Sequence, residues 1–178
     1  MRQKSTYWKL VLIVAWGIWL LDVGSKSWAL WRLSDGSSFK VIGSLLTFNL
    51  SRNTGAAFSI APGGAGFLGA FSVIVILVIL FWMRKINSRP WGVVLGLVLG
   101  GCIGNLTDRL FRTSTESGSS LGKGIFGGRV VDWIELPHWP IFNVADSAIV
   151  IAAVIAGVLS LRNIPPITPP HIATKSEE

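Results

Sequence analysis

Long apolar stretches constrain the fold of this chain more than any other feature of its sequence. Each is close to the roughly 20 residues that a helix needs to cross a hydrocarbon core about 30 Å thick. The first stretch continues past Asp22 and Lys26, and the last one contains a single charge, Asp146. The sequence therefore predicts a membrane α-helical fold with four transmembrane helices, at about residues 10–31, 65–83, 91–109 and 141–161.

The composition and charge of the chain support this interpretation. Hydrophobic residues make up 51% of the 178 residues and charged residues 14%, against about 25% in soluble domains. The net charge of +7 comes mostly from basic residues beside the apolar stretches, which favours phospholipid headgroups over nucleic acid as the partner. The length allows one domain, so we predict a single membrane domain over residues 1–164 and a cytoplasmic tail over residues 165–178.

The distribution of basic residues predicts the orientation of the helices. The connector between the second and third stretches carries Arg84, Lys85 and Arg89, and the N-terminus is basic too. Because Lys and Arg concentrate in short cytoplasmic loops, both termini and this connector should be cytoplasmic, with segments 32–62 and 111–140 extracytoplasmic. A cleaved signal peptide is the alternative interpretation of the N-terminus. It is disfavoured because an aspartate directly follows the first apolar run and no small-residue cleavage site appears.

The two extracytoplasmic segments differ in character. In the first, Asp35-Gly36 is typical of a turn, and residues 46–51 alternate apolar and polar side chains as a half-exposed strand does. This pattern predicts a small extracytoplasmic β-sheet element between helices 1 and 2. In the second, residues 113–128 are rich in Ser and Gly and are predicted to form a mobile external loop. The tail from residue 165 onward is predicted to be unstructured.

Several polar residues fall at the predicted extracytoplasmic ends of the helices. Charged groups within membrane spans are costly, so each is a functional candidate. The alternative is that such groups only mark the ends of helices. The polar residues at these helix ends are Asp22, Asp108, Arg109, Asp132 and Asp146, with Asn53, Asn105 and Asn143 at the same level. Their number favours a functional cluster at one face of the membrane.

The residue types in this cluster argue against most hydrolytic chemistries. A metal site needs about three protein ligands, which His138 and Glu135 do not supply, so we predict neither a metal nor another cofactor. Ser25 and Lys26 are sequence neighbours that point in different directions on a helix, and Cys102 lacks an activating partner. The remaining candidate catalytic groups are the carboxylates of the aspartates. Two aspartates can hydrolyse an amide bond without metal, one activating water and the other protonating the carbonyl or the leaving amine.

Four sequence blocks resemble the motifs of the bacterial lipoprotein signal peptidases, also called signal peptidase II. The blocks are DVGSK at 22–26, NTGAAF at 53–58, GGCIGNLTDR at 100–109, and VD at 131–132 followed by WPIFNVADS at 139–147. They occur in the order typical of the family, and the resemblance covers about residues 5–162. Each block alone is a weak indication of this family, but the four blocks together, placed on four predicted spans, indicate it specifically.

The resemblance implies an aspartyl endopeptidase that removes signal peptides from diacylglyceryl-modified prolipoproteins, cutting just before the lipidated cysteine. By motif position, the catalytic pair is Asp132 and Asp146. The other matching positions imply substrate-binding or site-supporting roles for Asp22, Lys26, Asn53, Gly55, Asn105, Asp108, Arg109 and Asn143. The implied partners are a lipid-modified prolipoprotein and membrane phospholipids. The resemblance also implies a monomer in the bacterial cytoplasmic (inner) membrane, with its active site at the outer face.

Two features depart from the family pattern. Val23 stands where Gln is usual, and residues 113–128 form an apparent insertion whose role the sequence does not define.

The alternative function is that of a non-enzymatic membrane protein, either a small transporter or an assembly subunit. Transporters tend to show inverted repeats and broken helices, and no repeat is visible here. An intramembrane protease would need aspartates deep in two spans, whereas Asp132 lies at a predicted boundary.

Overall fold

The structure, a computed structural model, describes residues 6–53, 64–112, 126 and 128–168. Its helices are α1 (Trp8–Leu33), α2 (Gly64–Trp82), α3 (Arg89–Phe111) and α4 (Val144–Leu161). Within the described ranges, these four are long and apolar enough to cross a membrane, which confirms the predicted membrane α-helical fold. The strands are β1 (Ser38–Ile42), β2 (Leu46–Asn53) and β3 (Val130–Glu135).

The strands form an antiparallel sheet in the order β1-β2-β3. Gly36 adopts a φ of +81° in the predicted turn before β1, and the N–H of Ser37 donates to Asp35 Oδ1 at 2.9 Å. The predicted sheet element between helices 1 and 2 is confirmed as the β1-β2 pair. β3 is an addition that the sequence does not predict. It comes from the segment between α3 and α4, and its register pairs Asp132 with Ser51 of β2.

The sheet marks one end of the helix bundle. We call it the sheet end, and we call the opposite end, which carries residues 83–88 between α2 and α3, the connector end. α1 runs to Leu33, close to the predicted end of this span at residue 31, so Asp22 lies within the helix and not at its last residue. The helix persists because its last turns pack on the sheet, where Ala29 and Leu33 contact Trp133.

Glycines on α3 allow the helices to approach closely. A Cβ added at Gly100 would lie 2.7 Å from the carbonyl oxygen of Ala15 on α1, and one at Gly101 would lie 2.6 Å from that of Ala145 on α4. Small residues at such contacts let membrane helices pack backbone to backbone. The glycines that face α1 recur every four residues along α3, at Gly92, Gly96, Gly100 and Gly104. α3 is therefore packed between α1 and α4.

Hydrogen bonds join three segments at the connector end. The N–H of Tyr7 donates to the Ile86 carbonyl at 3.0 Å. Asn87 binds the backbone of Thr168 through both amide atoms, accepting from its N–H at 2.8 Å and donating to its carbonyl at 3.0 Å. Trp91 Nε1 donates to the Ile164 carbonyl at 2.7 Å. The prediction of an unstructured tail is therefore wrong for residues 165–168, because the connector supplies their backbone with hydrogen-bond partners.

The helix boundaries differ from the predicted ones most at α4, which begins at Val144 rather than near residue 141. The reason is that Phe142 forms a bridge with Ile134 of β3 and Asn143 caps the helix. Most of the 113–128 segment lies outside the described residues, so its predicted mobility stays a prediction. After it, Gly128 donates its N–H to the Arg109 carbonyl at 3.0 Å.

Candidate active site

Asn143 lies at the centre of the candidate site and is fully buried. Its Oδ1 accepts from the N–H of Asp146 at 2.9 Å, and its own N–H donates to Asp146 Oδ2 at 3.3 Å. This reciprocal arrangement is a capping box, which satisfies N–H groups that the first turn of α4 leaves without helical partners. The Nδ2 of Asn143 donates to Asp132 Oδ1 at 2.6 Å and to Asn105 Oδ1 at 3.1 Å. One asparagine therefore links both candidate aspartates.

Asp132 reaches the site from β3. The strand is buried on both faces over Val130–Trp133, and Asp132 is only 2% exposed. Its carboxylate accepts hydrogen bonds from the side chains of Asn143 and Asn53. Burial, followed by the nearby charge of Asp146, raises the pKa of Asp132 to about 6. Asp132 is thus a carboxyl group that can hold a proton close to physiological pH.

Asp146 reaches the site from the first turn of α4 and remains partly exposed. Its Oδ1 accepts a hydrogen bond from Asn105 Nδ2 at 2.7 Å. A carboxylate near a helix N-terminus is stabilised by the helix dipole. The two aspartates therefore occupy different environments, one enclosed by a strand and asparagines, the other open on one side.

A buried ion cluster lies beneath these aspartates. Lys26 Nζ pairs with Asp22 Oδ2 at 2.7 Å and with Asp108 Oδ2 at 2.9 Å, and none of the three side chains is exposed. Lys26 also donates to Asn105 Oδ1 at 3.0 Å. Arg112 pairs with Asp108 Oδ1 at 2.5 Å. The two carboxylates of this cluster are thus matched by two cations.

Arg109 adds positive charge next to the aspartate pair. It belongs to the last turns of α3 and is 7% exposed. Its guanidinium interacts electrostatically with Asp132, Asp146 and Asp108. An arginine in this position can offset the negative charge of two neighbouring carboxylates and present a planar donor group to a ligand.

The structure brings together nine of the ten residues predicted for the site. They are Asp22, Lys26, Asn53, Asn105, Asp108, Arg109, Asp132, Asn143 and Asp146. Gly55 lies outside the described residues, and so does its predicted role. Sequence reasoning missed Arg112 and Gly104. Arg112 follows Asp108 by four residues, a spacing that brings opposite charges together on a helix, and Gly104 belongs to the four-residue glycine repeat on α3.

Other nucleophiles and ligands do not form an alternative site in the described part of the chain. Ser25 Oγ donates to the Asp22 carbonyl at 3.0 Å while Lys26 is held by carboxylates, as expected for residues that point in different directions. Cys102 is a buried free thiol. Among residues 6–53, 64–112, 126 and 128–168, His, Cys, Asp and Glu form no group of three that could hold a metal ion.

The fold and the site define a multi-pass membrane protein with two aspartates joined through a buried asparagine. Residues 14–162 match the model of the family described as signal peptidase (SPase) II. The chain belongs to the signal peptidase II family, which confirms the resemblance carried by the four sequence blocks.

Comparison with individual relatives supports the same family assignment. A lipoprotein signal peptidase of Streptomyces coelicolor is 42% identical over 160 residues, which cover 88% of this chain and 72% of that protein. One from Mycobacterium leprae is 39% identical over 154 residues, covering 86% and 72%. A solved bacterial membrane enzyme matches with a TM-score of 0.75 and 24% identity, covering 92% of this chain and 99% of that one. The last comparison establishes a shared fold.

Proposed function

We propose that this protein is an aspartyl endopeptidase that removes signal peptides from diacylglyceryl-modified prolipoproteins, cutting just before the lipidated cysteine. Family membership supports the peptidase activity and its substrate class. The observation that carries the aspartyl mechanism is the convergence of Asp132 and Asp146 on Asn143. Two carboxyl groups in different environments can divide the roles of acid and base.

The environments of the two carboxyl groups support a division of these roles. Asp132, whose pKa burial raises to about 6, carries the proton that the pair shares. Asp146, which is partly open, accepts a proton from the attacking water. As the water oxygen bonds to the scissile carbonyl carbon, Asp132 transfers its proton to the carbonyl oxygen. When the tetrahedral intermediate collapses, the C–N bond breaks, Asp146 protonates the leaving amine, and the diol returns a proton to Asp132.

The remaining side chains orient the pair. Asn105 and Asn143 each donate to one aspartate, which limits rotation of the carboxyl groups. Arg109 offsets the single negative charge that the pair carries when it shares a proton. It is also placed to bind a substrate carbonyl or a phosphate headgroup.

We further propose that the sheet end faces the outside of the cytoplasmic membrane and that the connector end and both termini are cytoplasmic. The connector end carries Arg84, Lys85 and Arg89, as the positive-inside rule requires. Lys85 also lies 5.4 Å from the ring centroid of Trp82, and tryptophan is enriched at membrane–water interfaces. In this orientation the substrate's signal peptide and acyl chains stay in the bilayer, and the peptide bond meets the aspartates at the outer interface.

The test is cleavage of a lipid-modified prolipoprotein by the purified protein, read as a mobility shift on a gel. Wild type should cleave it, and activity should persist in EDTA. Asp132→Asn and Asp146→Asn should each abolish cleavage, because an amide keeps the shape but exchanges no proton. Both variants should elute from a size-exclusion column as wild type does. Substantial cleavage by either variant would contradict the aspartyl mechanism, and inactive wild type would favour a non-enzymatic membrane protein.

The same assay with the non-lipidated precursor tests the substrate class. Burying acyl chains is worth about 0.8 kcal/mol per CH₂, so the lipid holds the adjacent peptide bond at the interface. We expect the non-lipidated precursor to be cleaved at least about tenfold more slowly at equal concentration. Equal rates for the two forms would contradict a preference for the lipidated cysteine.

A further inference from the structure

We propose that Lys26 is a positioning residue that sets the separation of Asp132 and Asp146 by joining the two carboxylates that hold their backbones. This inference rests on the proposed function, since it takes these aspartates to be the catalytic pair. Lys26 itself lies in α1, and its ammonium group contacts Asp22, Asp108 and Asn105.

The first arm of this arrangement leads to Asp146. Asp22 uses one carboxylate oxygen for Lys26 and the other, Oδ1, to accept the N–H of Ala145 at 2.9 Å. Ala145 directly precedes Asp146 and lies in the first turn of α4, where backbone N–H groups have no partner within the helix. Asp22 therefore fixes the start of α4 from a different helix.

The second arm leads to Asp132. Asp108 Oδ2 contacts Lys26 and also accepts the N–H of Val131 at 3.1 Å. Val131 directly precedes Asp132 on β3. Each carboxylate thus binds the peptide N–H one residue before a catalytic aspartate, and Lys26 joins the two carboxylates.

A third contact connects Lys26 to the reactive side chains. Its ammonium group donates to Asn105 Oδ1, and Asn105 Nδ2 donates to Asp146 Oδ1 at 2.7 Å. Lys26 therefore acts on the backbone positions of both aspartates and on the side-chain orientation of one.

Stability alone does not account for this cluster. Removing charged groups from water has a large free-energy penalty, and buried ion pairs replaced by apolar residues often leave a protein equally or more stable. The cluster is placed between the segments that carry the catalytic pair, where a fixed separation has a chemical use. The positive charge of Lys26 also favours the ionised form of Asp132.

Gly104 provides the space that Asp22 occupies. A Cβ at this position would lie 2.5 Å from Asp22 Oδ2, the atom that pairs with Lys26, and 3.2 Å from the Cβ of Ala145. Gly104→Ala therefore displaces the first arm without changing any charge. A Cβ added at Gly24 on α1 would meet no atom within 4 Å, so Gly24→Ala is a matched control.

The experiment measures kcat, KM, the pH profile and the melting temperature with the lipid-modified prolipoprotein as substrate. Lys26→Met should lower kcat at least about 100-fold with KM changed less than about threefold, since misplacement of catalytic groups by about 1 Å has effects of this size. The pH at which activity is lost on the alkaline side should rise. Gly104→Ala should lower kcat about tenfold, while Gly24→Ala and the exposed Lys40→Met keep it within about twofold.

A charge-balanced double variant, Asp22→Asn with Lys26→Met, separates a loss of folding from a loss of positioning, because it leaves the Asp108–Arg112 pair intact. The amide oxygen at position 22 and the carboxylate of Asp108 can still accept the two N–H groups, but no cation joins them. We expect a melting temperature close to that of wild type and a kcat that remains low. Recovery of kcat together with the melting temperature would show a purely structural role and overturn the proposal, as would wild-type kcat in Lys26→Met.

The failures of the two proposals are distinguishable. If Asp132→Asn and Asp146→Asn still cleave, the proposed catalytic pair is wrong, whatever Lys26 does. If both abolish cleavage while Lys26→Met and Gly104→Ala keep wild-type kcat, the aspartyl mechanism stands and the positioning role of Lys26 is wrong.

Discussion

Asp132 combines near-complete burial with a second carboxyl group nearby. Burial disfavours its ionised form, and so does the charge of Asp146, whereas the hydrogen bonds from Asn143 and Asn53 favour it. The result is a pKa of about 6, above the ordinary 3.8. The raised pKa that suits Asp132 to its proposed role as an acid also makes its ionised form unfavourable in the folded protein.

The first prediction is a loss of activity on the alkaline side. If Asp132 must be protonated to act as the acid, kcat/KM for the lipidated precursor should fall about tenfold per pH unit above about pH 6 in the free enzyme. The measurement is initial rates at low substrate concentration across the pH range, in buffers of constant ionic strength. A rate that stays level through neutral pH into the alkaline range would contradict this role.

The second prediction is that Asp132→Asn is inactive but more stable than wild type at neutral pH. Because the folded pKa lies above the unfolded one, ionisation of Asp132 lowers the free energy of unfolding by up to about 3 kcal/mol. This penalty is fully present above about pH 6 and disappears as the pH falls below about 4. Thermal unfolding in detergent should therefore show a higher melting temperature for the variant at pH 7.5 and none of the gain near pH 4. Equal melting temperatures at both pH values would contradict an unfavourable ionised Asp132.

At the level of elements, the helices were predictable because each depends on its own apolar run, and β2 because its side chains alternate. β3 was not predictable in the same way, since its four buried residues Val130–Trp133 show no alternation and its partner β2 comes from a distant part of the chain. The start of α4 depends on the Asn143 cap and the Phe142 bridge, contacts that an apolar run does not reveal.

In the candidate site, too, the residues could be predicted from the sequence, whereas the contacts between them could not. The motifs identified nearly all of its residues, but not the geometry that joins them. The bonds from Asp22 to Ala145 and from Asp108 to Val131 connect elements far apart in sequence. No local pattern encodes such contacts, because they exist only when α1, α3, β3 and α4 are packed together. Gly104 was overlooked for the same reason, since its neighbour Asp22 belongs to another helix.

The third prediction concerns helix packing. Gly100→Ala should destabilise the protein by about 1–3 kcal/mol, because the added methyl group meets the Ala15 carbonyl at 2.7 Å and overpacked contacts have this effect. Gly157→Ala on α4 is the control, since its added carbon meets no atom within 4 Å. That variant should be neutral or slightly stabilising, by up to about 1 kcal/mol. The measurement is the melting temperature in one detergent. The same change in both variants would argue against close α1–α3 packing.

For the whole molecule, the fourth prediction tests the orientation. In a Cys102→Ser background, a membrane-impermeant maleimide should label Ser38→Cys at the sheet end in intact cells. It should label Ile167→Cys at the connector end only after the cells are permeabilised. Both positions are exposed, and retained cleavage activity verifies that each variant is folded. The reverse labelling pattern would mean that the active site faces the cytoplasm.

The order of the elements along the chain also has a consequence for biosynthesis. The buried ion cluster comes from α1, which carries Asp22 and Lys26, and from the end of α3, where Asp108 pairs with Arg112. Asp132 and Asp146 come later in the sequence. A chain emerging from the ribosome can therefore neutralise its buried charges while the reactive residues are still unsynthesised. In the proposed mechanism, peptide-bond hydrolysis becomes possible only when α4, the last of the four helices along the chain, enters the membrane and Asn143 joins the two aspartates. If this mechanism holds, we expect a nascent or prematurely terminated chain to be inert toward the membrane proteins around it.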